Sequence, residues 1–253
     1  MDALTAATAI GPPLGTVGAA FYFSPEAASR ADGIGLDVVS LYAAGRGGVL
    51  GDRTPAEVDE AFFFFKSGLI ASVVEAARAQ AAPADILEAH LGSADDFAAA
   101  TYGAVDPTVL AAFDAAASRV VDALPTGRWP LVDGYRAQRP PVGATGSAYR
   151  SAVLLRELRG GIHRDAVGEA GLTAAVACQF DRGDDYYHLH GFGDDDRVPE
   201  TPATLAARVG AEQTTDASQA ELLAVLDEAA LGHLVAGAEL LAATGPGVVL
   251  PGR

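Results

Sequence analysis

The chain has 253 residues, half of them apolar and a fifth charged, so it is long enough to bury a real core and too hydrophobic to be globally disordered. Its formal net charge of −16 opposes any role in which a basic face neutralises nucleic-acid phosphates. The single cysteine, Cys178, has no internal partner and follows the apolar residues 174–177, which fits a buried thiol in a reducing, cytoplasmic setting. The residues after Met1 lack the basic start of a signal peptide, and no apolar run of membrane-spanning length is read, so no membrane partner is expected.

Residues 1–20 are small and punctuated by Gly and Pro, and are expected to be loose. Order is expected from Ser24-Pro25-Glu26, an N-cap with Pro at the first helical position, and Gly33 should end that helix. The next helix, from about Leu36, should break at Gly45-Arg46-Gly47-Gly48, a spacing that matches neither a dinucleotide fingerprint nor a Walker loop. Thr54-Pro55-Ala56-Glu57 is a full capping box. Behind it Val58, Phe62, Phe65 and Leu69 recur at helical spacing, so the helix through the four phenylalanines at 62–65 should be buried all round or line an apolar cavity.

Further helices are expected at 84–91, with Gly92 as stop, at 94–102 behind Ser93, and at 107–124 behind Asp106. Residues 126–145, with several Pro and Gly and Trp129, read as a packed connector between a first half (21–125) and a second half (146–253). The second half should hold helices at 147–159, 163–170 and 172–180. A short alternating run at 187–192 is read as a strand or hairpin arm. A helix from Thr201-Pro202 should end at Gly210, and a long final helix at 217–243 should be capped by Asp216 and Gln219. The fold class is therefore mostly α, with at most one or two short hairpins.

The halves echo one another. Gly35-Leu36, Arg46-Gly47 and Thr54-Pro55-Ala56 recur as Gly171-Leu172, Arg182-Gly183 and Thr201-Pro202-Ala203, which points to two winged-helix-like halves. The second copy gains Tyr187, His188 and His190.

Three groups could carry chemistry. Arg156-Glu157-Leu158-Arg159-Gly160-Gly161-Ile162-His163 is the densest. A continuous helix would place Arg156, Gly160 and His163 on one face, whereas a bend at the glycines would swing His163 back toward Arg156 and Glu157. Paired arginines beside a His and a Glu can clamp an anion while the imidazole or carboxylate moves a proton. Arg46, with Tyr42 one turn before it, is the second group. His188 and His190 are the third, because His-x-His on a strand puts both imidazoles on one face, a metal-ligand spacing. None of the three needs to be more than a solvated helix end, a surface Arg and a hairpin.

These residues resemble an actinobacterial family of helix-turn-helix or winged-helix proteins. The likeness runs over residues 20–180, through Phe23-Ser24-Pro25-Glu26-Ala27, Gly35-Leu36, Arg46 with Leu50-Gly51, the phenylalanines at 62–65, Leu155-Arg156-Glu157, Arg159-Gly160, His163 and Gly171-Leu172. The chain departs from the family's pattern at Leu158, Gly161, Ile162 and Phe63-Phe64, and the family's C-terminal winged helix is replaced. The resemblance implies a winged-helix shape, and the departures weaken transfer of a DNA-binding role.

The expectation is a small-molecule ligand, anionic or carbonyl-bearing with an apolar part, bound between the halves. Glu157 and His163 are the candidate catalytic residues. Tyr42, Arg46, Phe62, Phe65, Arg156, Arg159, Tyr187, His188 and His190 are the candidate ligand contacts. Acid–base chemistry of this kind asks for no organic cofactor and no resident metal. The other readings are a non-catalytic regulator and a metal-dependent enzyme using His188 and His190. The long apolar C-terminal helix also hints at a homodimer.

Overall fold

The segment expected to be loose is a helix. The computed structural model describes residues 1–181 and 183–248, and in it α1 (Ala3–Val17) starts at Asp2, whose carboxylate accepts from the Thr5 amide at 2.8 Å. Pro12 and Pro13 lie inside α1, yet Ala6, Ala7, Ile10, Leu14 and Val17 are all buried. Tertiary burial outweighs the local helix-breaking signal here. By length and composition alone the stretch Ala3–Asp32 is apolar enough to cross a membrane, but it is made of three successive elements and 56% of its most apolar part is buried inside the fold.

A short 3-10 turn, Ala20–Phe23, places Tyr22 before α2 (Pro25–Asp32), which begins at the Ser24 cap as expected. The following helix does not break at its glycines: α3 (Val38–Gly48) keeps Arg46 within a helix rather than a turn. A Cβ at Gly45 would stand 2.5 Å from His90, and one at Gly47 would collide with Val58, so these glycines serve close packing.

α4 (Pro55–Phe62) opens with the predicted capping box and then stops. Phe63 has φ 43°, and the Phe64 amide bonds back to the Phe62 carbonyl, a γ-turn that a bulky residue rarely adopts. The phenylalanines at 62–65 are thus half helix end and half strained turn, not one helix buried on all sides. α5 (Leu69–Gln80) resumes beyond them.

Helices expected in pairs are single. α6 (Pro83–Tyr102) runs straight through Gly92 and Ser93, whose hydroxyl bonds the His90 carbonyl at 2.8 Å. α7 (Pro107–Asp122) matches expectation, and α8 (Pro130–Arg136) occupies the connector behind buried Trp129. α9 (Gly143–Glu169) passes through Gly160 and Gly161 without ending. α10 (Ala174–Gln179) and α11 (Asp184–Leu189) come next, so Tyr187, His188 and His190 lie on and just after a helix, not on a strand. α12 (Pro202–Leu223) runs past Gly210, putting Asp216 and Gln219 mid-helix. The true cap of α13 (Glu228–Thr244) is Asp227, which accepts from the Ala230 amide at 2.9 Å. Among the described residues no strand occurs.

One part of the echo is structural. Gly35 (φ 74°) and Gly171 (φ 70°) each end a helix in the left-handed conformation. In each case the next leucine amide reaches back five residues, Leu36 to Ala31 and Leu172 to Val167, and a capped helix begins after Asp37 or Thr173. Arg182, the counterpart of Arg46 in the second copy, lies outside the described residues.

α9 is the axis of the bundle, packed on α1, α6, α7, α8 and α12, while α13 lies between α1 and α7. The largest apolar core is continuous across the connector, running from Ile10 and Phe21 through Phe97 and Phe113 to Leu155, Leu234 and Leu241. The apolar face of α13 is spent inside this core.

Candidate functional site

A cavity of about 610 Å³ lies along one face of α9. Arg156, Gly160, His163 and Val167 succeed one another on that face at the i, i+4, i+7, i+11 spacing of a helix, and all four line the cavity. Of the two arrangements the sequence left open, the continuous helix is the one formed. The opposite wall comes from the phenylalanines at 62–65, and α1, α3, α5, α8, α10, α11 and α12 contribute further lining residues. The Phe turn is tied to the later segment by hydrogen bonds and a ring stack. Cys178 Sγ donates to the Phe64 carbonyl at 3.3 Å, the Lys66 amide donates to the His190 carbonyl at 2.8 Å, and the Phe65 and His190 rings stack at 4.4 Å.

At one end stands a buried charge cluster. Arg46 grips Glu157 in a two-pronged pair, with Nε–Oε1 at 3.0 Å and Nη2–Oε2 at 2.7 Å. Arg156 Nη1 donates to Glu157 Oε1 at 2.7 Å, and the Tyr22 hydroxyl donates to the same oxygen at 2.9 Å. Burial works to raise the Glu157 carboxyl, but the two guanidiniums win and hold it at about 2. Two arginines against one carboxylate leave the cluster one positive charge in excess. The Arg46 guanidinium also lies 4.3 Å over the Phe62 ring. Glu157, fully ionised and with its oxygens occupied, is a holding group for the arginines and a poor proton carrier.

At the other end is His163, stacked on Phe64 at 5.7 Å. Its Nδ1 lies 3.0 Å from Thr215 Oγ1, and that hydroxyl donates its own proton to the Ala211 carbonyl at 2.7 Å. The hydrogen-bond pattern therefore assigns the proton to Nδ1 and the lone pair to Nε2. Burial pushes the imidazole pKa below its ordinary value, so the neutral form prevails near pH 7. Nε2 and Glu212 Oε1 stand 3.6 Å apart, both acceptors in that state, which leaves the lone pair available to a donor in the cavity. Arg159 is committed nearby to Asp216 and Gln219, at 2.8 and 2.7 Å.

Of the residues singled out in the sequence, Tyr42, Arg46, Phe62, Phe65, Arg156, Glu157, Arg159, His163 and His190 line the cavity. Tyr187 and His188 do not. Tyr187 is buried behind the wall with Cys178 and Phe192. His188 is exposed, its Nδ1 held 2.9 Å from the Phe192 carbonyl. On a helix, residues i and i+2 point about 200° apart, so the His-x-His face required by the metal reading is not formed. No three His, Cys, Asp or Glu side chains come close enough to hold a metal ion among the described residues.

Sequence reasoning missed Tyr22, Thr215 and Glu212. Tyr22 precedes a clear helix cap and carried only an aromatic signal. Thr215 and Glu212 lie where a false helix end was expected.

For a helix that follows a Gly-Leu turn to enter a DNA groove it would need an exposed basic face. On α3 the only basic residue is Arg46, which is buried, and Val39 is the one exposed residue. α10 has no basic residue and none that is exposed. Both helices are turned toward the cavity.

No curated protein and no solved structure matches the chain. A model described as "Helix-turn-helix family" matches residues 7–190, most of its length. By that match the chain belongs to the helix-turn-helix family.

Proposed function

We propose that the protein binds a small organic anion in this cavity and performs cofactor-independent acid–base chemistry on it: an elimination, isomerisation, cyclisation or hydrolysis. The observation that carries the reading is the pairing of two unlike polar groups on one face of α9. A neutral imidazole offers a lone pair at Nε2, and an Arg-Glu-Arg cluster offers surplus positive charge. In this reading His163 is the general base. Arg46 and Arg156 hold the anionic or carbonyl-bearing group, and Glu157 and Thr215 are positioning residues. Apolar walls exclude water and strengthen both electrostatic contacts.

The test is proton exchange at the acetyl group of 4′-acetylbiphenyl-4-carboxylate, whose acidic C–H lies at the end remote from its acid group, in deuterium oxide, followed by NMR. His163→Ala should slow exchange by about 10²–10⁴-fold with the fold intact. Equal exchange by wild type and variant sinks the role of His163.

A ligand-responsive regulator without catalysis is the second reading, favoured by the family match and the two Gly-Leu turns. The charge balance and the buried position of α3 and α10 weigh against its DNA-binding form. Salt-sensitive retention of duplex DNA at low ionic strength would restore it.

A further inference from the structure

The two glycines in the middle of α9 do different work. A Cβ on Gly161 would meet Trp129 Cδ1 at 2.5 Å, so that glycine lets the single tryptophan pack against the helix. A Cβ on Gly160 would meet nothing within 4 Å. Gly160 lines the cavity and lies between Arg156 and His163 on their shared face. Seven residues of helix separate those two side chains, about 10 Å along the axis. A group held on the Arg46–Arg156 cluster is therefore too far from His163 to be the atom that loses a proton. The arginines act as a remote anchor, and a ligand touching both ends must cross the gap above Gly160.

We propose that the ligand is an elongated, flat, largely apolar monoanion of two or three ring lengths. Its acid group would sit on Arg46 and Arg156, and its body would lie over Gly160 against the phenylalanines. Gly160 is then the position that sets ligand length. The single excess positive charge of the cluster selects a monoanion, since burying an uncompensated second charge is costly. The aromatic wall made by Phe62, Phe64 and Phe65 favours a planar body. The proposal rests on the small-molecule reading of the cavity but not on catalysis.

Binding to the intact protein tests it, read from the fluorescence of Trp129, which lines the cavity. The probes are benzoate, biphenyl-4-carboxylate and the neutral alcohol 4-biphenylmethanol. Biphenyl-4-carboxylate should bind at least ~10-fold more tightly than either of the others, the gain expected from burying one more ring or from keeping the charge contact. Gly160→Leu should abolish the advantage of the long carboxylate while leaving benzoate within about twofold, since its side chain fills only the gap. Gly160→Ala, a single methyl group in the same space, should give a smaller loss in the same direction.

Long and short carboxylates binding alike, the alcohol matching the carboxylate, or Gly160→Leu leaving the long probe unaffected would each overturn the proposal, as would no saturable binding of any probe. These are equilibrium measurements. Probe binding without any proton exchange would sink the enzymatic reading and leave this one standing.

Discussion

Arg46 and Glu157 lie 111 positions apart in the chain and meet as a two-pronged ion pair at 3.0 and 2.7 Å, both nearly inaccessible to water. A buried pair of this kind adds little net stability over an apolar substitute, but removing one partner strands the other's charge. Glu157→Gln strands two guanidiniums and should cost about 3–5 kcal/mol. The wild-type carboxyl titrates near 2 in the fold against an ordinary 4.5. Its stabilising contribution is therefore complete above pH 4.5 and is lost as the pH falls toward 2, a change of about 3 kcal/mol. Urea unfolding at pH 7 should show the loss in the variant, and the same series at pH 4.5 and 3 should show a shallower acid decline than in wild type.

His90 should make the protein sensitive to much milder acid. Fully buried, with Nε2 2.7 Å from the Tyr135 hydroxyl, its imidazole is pushed down to about 3, first by burial and then by Arg150 and Arg46. Below pH 6.5 the unfolded chain takes up a proton that the folded chain refuses, so stability falls as the pH drops. The slope approaches ~1.4 kcal/mol per pH unit, about 2 kcal/mol between pH 6.5 and 5. His90→Gln should flatten this stretch of a plot of melting temperature against pH. His163, lowered by burial in the same direction, supplies part of the slope that remains.

The adjacent glycines of α9 should respond with opposite signs. Gly160→Ala adds a helix-favouring methyl group in open space and should stabilise by up to about 1 kcal/mol. Gly161→Ala drives a methyl group into Trp129 and should cost about 1–3 kcal/mol, with a shift in tryptophan emission. Equal effects at the two sites would contradict the geometry of this helix face.

Cys178 should be inert. Burial pushes its thiol up to about 12, with Asp181 adding to the shift, and its Sγ donates to the Phe64 carbonyl. Iodoacetamide at pH 8 should leave the native protein unmodified for hours and alkylate it stoichiometrically in 6 M guanidinium, as intact mass would report.

Legibility in the sequence depends on which signals are local. Helix starts were legible where a cap such as Ser24 or Thr54 carries its own partner three residues on, but not at α1, α8, α11 or α13. Glycines read as stops were not. At Gly92, Gly160 and Gly210 the helix continues, because a penalty of about 1 kcal/mol per glycine is smaller than what the packed faces of α6, α9 and α12 return. The candidate site was partly legible for the same reason. Arg156, Gly160 and His163 follow from helical period alone, whereas the Arg46–Glu157 pair and the Thr215 contact depend on segments that meet only in the tertiary fold. His188 and His190 drew attention by a spacing that matters only on a strand, and of Tyr187, His188 and His190 only His190 reaches the cavity.

The packing of α1 on α12 and α13 bears on how the chain reaches this state. As synthesis proceeds, residues 3–17 wait about 200 residues for most of their docking surface, which lies on the two helices spanning residues 202–244. Until those emerge, the apolar side of α1 has no finished seat, and the Arg159 guanidinium that packs against Gly11 lacks Asp216 and Gln219. Contacts so distant in sequence form slowly, so the docking of α1 on α12 and α13 should come late and complete the cavity at the same moment. A nascent chain would carry its helices well before it could hold a ligand.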